Sequence, residues 1–204
     1  MSAANMHRRM AARPIVRQSG VAAAEFGILA VLFFTMVLAV IELARVMFVL
    51  NTLYEVTRHA ADAAAFANHR DTNALDRIRQ RAVFRDSPGN LIISAPVSDE
   101  SVRISYQALL RASDGSMTMQ EIPTGSLPIC PRDNREICLA DPNASNCIRF
   151  VSASICDEAD PVECTHVVYR PFLPLIDFPI RLPKATTIRA VESFGSMPEG
   201  TPCL

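Results

Sequence analysis

The sequence predicts an α+β protein: a single N-terminal membrane-spanning helix extended as an amphipathic stalk, then a small antiparallel-sheet domain cross-linked by disulfides. Three observations carry that prediction. Sixteen consecutive residues, Phe26 to Ile41, bear no charge. No Gly or Pro interrupts the sixty residues between Gly27 and Pro88, which permits one helix to run on past the apolar stretch. After Pro88-Gly89 the period turns from helical to alternating, and all six cysteines lie between Cys130 and Cys203. The chain therefore divides into a basic leader (1–20), a transmembrane helix (21–50), a helical stalk with a second short helix (51–87) and a sheet-rich domain (88–204).

Composition removes several classes. Of 204 residues, 50% are hydrophobic and 20% charged, so the chain is not a disordered or highly charged tail. The formal net charge of −1 gives no basic surplus for nucleic acid. There is no Trp, and 6% of residues are aromatic, which argues against an aromatic-lined ligand cleft.

The first twenty residues hold Arg8, Arg9, Arg13 and Arg17 and no acid. The charge-free run that follows makes about 24 Å of helix. A full span of ~20 residues is reached by including Val21–Ala24 or by continuing toward Leu50. Arginines on the N-terminal side place that end in the cytoplasm and the C-terminal domain outside, where disulfides persist. Past Ile41 come Glu42 and Arg45, which share a helix face at i, i+3 and can pair. A paired couple at the membrane edge costs less than either charge alone. A buried core helix is a poorer reading, because the run is too long and its flanks too asymmetric. A secretory signal fits poorly as well, since the first small-residue cleavage site would fall near Ala61–Ala63, after several charges.

Glu25 is explained by neither alternative, nor by a simple permanent anchor. A carboxylate at a membrane entrance is costly and marks function. It stands five residues after Gly20 in Gly20-Val21-Ala22-Ala23-Ala24-Glu25-Phe26. Basic leader, Gly, Glu at that offset and an apolar helix together resemble the prepilin peptidase site of type IV pilins. The stretch from Ser19 to Ala65 further resembles the TadE-like pseudopilins of the tight-adherence (Flp) system. The matching pieces are Gly20, Glu25-Phe26, the Ile41–Arg45 block, Asn51, Leu53 and the Ala-rich run around Arg58. A weaker likeness lies at Tyr169–Phe172 and Arg189–Glu192. The family often carries Pro shortly after its Glu-Phe pair; here Val31 stands about there, so a proline kink is not implied.

The resemblance implies a cut between Gly20 and Val21. The new amine at Val21 and the carboxylate of Glu25 are then opposite charges beside an apolar phase. Glu25, with Phe26, would set assembly register by neutralising a neighbour's amine. Implied partners are other pilin-like subunits along the N-terminal helix, the prepilin peptidase, the inner-membrane assembly platform and the lipid bilayer.

Beyond the bilayer, Val46, Leu50, Leu53, Ala60, Ala64 and Ala67 follow helical spacing, opposite Asn51, Glu55, Arg58, His59 and Asp62. The small residues from Ala60 to Ala65 allow close approach of a sheet or of another helix, and both readings stay open. Asp71–Asn73 offers N-cap chemistry for a short helix with Leu75, Ile78, Ala82 and Val83 on one face and Arg77, Arg79, Arg81 and Arg85 on the other. In the distal domain Val102, Ile104, Tyr106 and Ala108 alternate with polar residues, the pattern of a half-buried strand. Leu91–Ala95, Met117–Ile122, Ile148–Ile155, Thr165–Tyr169 and Thr186–Phe194 are further strand candidates. Asp114-Gly115 marks a hairpin turn.

Cys130, Cys138, Cys147, Cys156, Cys164 and Cys203 are an even set in an expected oxidising compartment, and structural disulfides are the favoured reading. Six cysteines allow fifteen pairings, and spacing does not choose among them. Zinc would need close pairs such as C-x₂-C, which are absent; His166, two residues after Cys164, leaves a lesser metal reading. No GxSxG, HExxH, P-loop or GxGxxG occurs, and no cofactor is implied. The function expected is that of a non-enzymatic minor pilin-like subunit, single-pass in the bacterial inner membrane with a periplasmic C-terminal domain, and available for incorporation into a pilus. The alternative is a membrane-anchored periplasmic binding module or enzyme with an uncleaved anchor.

Overall fold

The computed structural model describes residues 19–92, 97–160, 163–171 and 180–191. Residues 1–18 of the basic leader, Cys203, Phe172 and Glu192 lie outside the described residues. The fold is α+β. Its elements are α1 (Ser19–Ala64), α2 (Thr72–Ala82), β1 (Val102–Arg111), β2 (Met117–Glu121), α3 (Pro131–Ala140), β3 (Phe150–Ile155), β4 (Val168–Tyr169), β5 (Ile180–Arg181) and β6 (Thr186–Ala190). A 3₁₀ turn, Thr124–Ser126, precedes α3.

Two compact units divide the chain between Ile41 and Glu42. In the first, α1 is apolar on every side. Its most apolar eighteen residues have a mean hydropathy of 2.6, and none of that window is buried. Thr35, the polar residue of the run, donates its hydroxyl to the Val31 carbonyl at 2.7 Å. The group is thus satisfied within the helix, as an apolar surrounding requires. The helix passes through Val31 without interruption.

In the second unit the remainder of α1 packs on an antiparallel sheet of order β2-β1-β3-β6. The stripe expected from spacing is the packed face: Leu53, Ala60, Ala61 and Ala64 are buried, as are Val49, Val56 and Thr57. The alternation of β1 places Val102, Ile104 and Tyr106 opposite Ile155, Ala153 and Val151 of β3, so inward side chains of both strands line two core clusters with the helix, and Ile104 packs against both. Ala60, Ala61 and Ala64 take their places in that packing beside Leu53 and Val56. At the β6 edge the contact turns polar. Thr57 and Thr187 share a hydroxyl hydrogen bond of 2.9 Å, and Asp62 pairs with Arg189.

The α1 helix stops at Ala64, and α2 starts from Asp71, whose carboxylate accepts from the Ala74 N–H at 3.0 Å. Leu75, Ala82 and Val83 bury the expected face. The β1–β2 hairpin turns through Ala112–Ser116, with Gly115 at φ +85°, where a side chain is disfavoured. Two expectations are corrected, and one element is new. Leu91 and Ile92 form no strand: Leu91 N–H bonds Val97 O and Gly89 N–H bonds the Asp99 carboxylate, closing a loop too short to join the sheet, while 93–95 lie outside the described residues. The expected Thr165–Tyr169 strand narrows to β4, Val168–Tyr169, which among the described residues pairs with β5 alone. The stretch after Cys130 contains a helix, α3, with Pro131 at its first turn and the Cys130 sulfur capping it.

Candidate functional site

The residues singled out by sequence fall into two groups. Gly20, Val21, Glu25 and Phe26 lie on the first turns of α1, all exposed, Phe26 at 73%. No hydrogen bond or ion pair engages Glu25 among the described residues. The helix thus presents a carboxylate at the mouth of an apolar cylinder. Twelve large apolar side chains between Val21 and Ile41 are exposed. Removing them from water would release on the order of 20 kcal/mol, a gain that lipid or a neighbouring helix supplies alike.

The second group sits where the globular unit begins. Arg45 Nη1 lies 3.4 Å from Glu42 Oε1, with only 13% of the Arg45 side chain exposed. Sequence reasoning paired these two but missed the third member. Tyr169, from β4, donates its hydroxyl to Glu42 Oε1 at 2.5 Å, and the Arg45 guanidinium stacks 5.1 Å above its ring. Arg45 also donates to the Arg170 carbonyl at 3.0 Å. The Tyr169 phenol is pushed up to about 12, first by burial and then by its bond to Glu42. Glu42 and Arg45 are thus satisfied within one chain.

Of the cysteines, Cys138 pairs with Cys147 and Cys156 with Cys164. Cys130 is disulfide-bonded too. Cys138–Cys147 ties α3 to the approach of β3. Buried Asn134 reinforces that tie, accepting from Ile148 N–H at 2.8 Å and donating to its carbonyl at 3.4 Å. His166 bonds the Leu182 carbonyl rather than a ligand shared with Cys164, and the described residues contain no metal-binding group of three or more His, Cys, Asp or Glu.

A cleft of about 570 Å³ lies between α2, the start of β1 and the loop after β3. Its acids are Asp76, Asp99, Glu100, Asp157 and Glu158. Its cations are already engaged, Arg79 with Asp76 and Arg103 with Glu121. Ser98 and Ser101 both donate to Glu158. No nucleophile–base pair converges there.

The apolar helix, the carboxylate at its entrance and the charged turn at its exit are contiguous along α1. Residues 20–65 match the TadE-like protein family. The TadE-like segment begins at Gly20, ends one residue past α1, and contains Glu25, Glu42 and Arg45. It ends before the sheet, the cysteines and the weaker likenesses at Tyr169–Phe172 and Arg189–Glu192. No curated protein and no solved structure matches the chain. The TadE-like match links the N-terminal helix to a pilus-associated family, and the exposed apolar run is consistent with membrane anchoring.

Proposed function

We propose that this chain is a non-enzymatic minor pilin-like subunit of a tight-adherence (Flp, type IVb-like) pilus. A prepilin peptidase would cut it between Gly20 and Val21. The observation that carries this reading is a coincidence of boundaries: the TadE-like segment starts at Gly20, and its first half is the exposed apolar helix bearing Glu25. A simple anchor has no use for a carboxylate there, whereas a helix that leaves lipid to join others does. Glu25 would meet the Val21 amine of a neighbouring subunit, each offsetting the other's desolvation. The helix holds the protein in the bacterial inner membrane with its disulfide-bearing domain in the periplasm, where the assembly platform would act on it. The chain carries no nucleotide motif, so energy for extraction comes from other components.

Glu25→Ala tests this. The variant is expected to be expressed and membrane-bound at normal levels, with pilus assembly lost. Normal piliation and adhesion would overturn the role of Glu25. The cleft near Glu158 favours a second reading, an anchored periplasmic binding module. That reading requires Glu25→Ala to be harmless and the released domain to bind a ligand on its own.

A further inference from the structure

The stretch Val21–Ile41, apolar except for Glu25 near its start, is 21 residues long, about 31 Å of helix, which matches the ~30 Å hydrocarbon core of a bilayer. With this run across the membrane, a shorter span than the 21–50 expected from sequence but the same anchor, on which this inference rests, the turn Glu42–Arg45 emerges into the headgroup layer, roughly 5–7 Å thick on each side. That turn is bonded to the β4–β5 ribbon through Tyr169 and the Arg170 carbonyl. Bonds of this length hold the ribbon beside that turn, so charges on the ribbon can set how close both lie to the bilayer.

The ribbon has the charge for that place. Tyr169 is buried against the helix, while Arg170 and Arg181 are exposed. Arg181 pairs in register with half-exposed Val168, and exposed Lys184 follows. Residues 165–171 and 180–191 contain no Asp or Glu, so nothing described on the ribbon neutralises these cations. Arg donors are suited to phosphate oxygens, and cations are drawn to anionic headgroups within a Debye length.

We propose that the β4–β5 ribbon is a second membrane contact, seating Arg170 and Arg181 on lipid headgroup phosphates beside the point where α1 leaves the bilayer. Tyr169 and Arg45 are positioning residues that hold the ribbon there. The contact fixes the orientation of the distal domain on the membrane, and drawing the subunit out of the bilayer then breaks headgroup contacts as well as withdrawing the helix.

The chain has three tyrosines, one in each place that matters: Tyr169 in the ribbon, Tyr54 twelve residues past Glu42 on α1, and Tyr106 in the sheet. The full chain, labelled with ¹⁵N-tyrosine, would be placed in nanodiscs of equal phosphatidylcholine and phosphatidylglycerol carrying a trace of headgroup spin-labelled lipid. The Tyr169 amide is expected to lose most of its intensity, with Tyr54 and Tyr106 losing less, and the double variant Arg170→Glu/Arg181→Glu to recover much of the Tyr169 signal. Equal loss at Tyr169 and Tyr106, or no recovery in the double variant, overturns the proposal. Shifts at Tyr169 that follow protein-to-lipid ratio rather than phosphatidylglycerol content assign the ribbon to a neighbouring subunit and overturn it as well. Vesicle flotation separates the two readings. A chain that floats with Tyr169 unaffected defeats the ribbon contact alone, and a chain that does not float defeats the anchor and the contact together.

Discussion

At the scale of single residues, charge placement separates two roles along one helix. Glu42 has Arg45 and Tyr169 in its own chain, whereas Glu25 has no partner among the described residues. The first carboxylate is settled by folding, and in the proposed function the second serves assembly. Tyr169→Phe removes one donor to Glu42 and is expected to cost on the order of 1–2 kcal/mol, measured as a drop in the denaturant midpoint of the detergent-solubilised chain; an unchanged midpoint would mean that Arg45 alone satisfies the carboxylate. His69 gives a pH signature. Its ring is buried, with Nε2 on the Pro128 carbonyl at 2.8 Å, and burial holds its pKa below the ordinary 6.5. A group whose folded pKa is depressed contributes stability above its unfolded value and loses that contribution as pH falls through the folded one. Melting temperature should therefore decline as pH drops below 6.5, and the decline should be shallower in His69→Gln. Parallel profiles for the two proteins would contradict this. The Glu42–Arg45 pair was legible from an i, i+3 spacing. Tyr169 was not, because it lies 127 residues from Glu42 in the chain and nothing local marks it.

At the scale of elements, legibility followed periodicity. β1 could be read because Val102, Tyr106 and Ala108 alternate with polar neighbours and face a core. The hairpin could be read because Asp114-Gly115 supplies the turn. β2 is fully exposed and was visible only as the mate of that turn. α3 escaped notice because its Pro131, Asp133 and Asn134 resemble loop chemistry. The missed signal was Pro at the first helical position with Asp in the first turn, a start pattern rather than a breaker. Asn134 makes the helix matter: it meets both polar groups of Ile148, a buried backbone unit. Asn134→Ala is expected to destabilise by on the order of 2 kcal/mol, and replacing Cys138 and Cys147 together by Ala by about 3 kcal/mol. Both are read from denaturant unfolding under oxidising conditions. Because Asn134 and the disulfide secure the same junction, the triple variant should lose less than the two costs combined. Strict additivity would mean that they act apart.

At the scale of the whole molecule, one helix carries two environments. Up to Ile41 none of its described side chains is buried, while from Glu42 onward the same helix supplies part of the core of a folded domain. The first half was legible from sixteen uncharged residues and an arginine leader, and the TadE-like match covers both halves. The domain beyond it was legible as α+β but not as a topology, since strand order depends on β6 returning to pair with β3, a contact no local pattern announces. The central claim is that Gly20 ends a leader and Val21 begins the working subunit. Intact mass and N-terminal sequence of the membrane-extracted protein, from cells with and without the prepilin peptidase, test it most directly. The account predicts a chain beginning at Val21 only when the peptidase is present. A chain that retains Arg8–Arg17 in both strains would contradict it and leave an uncleaved anchor bearing a periplasmic domain.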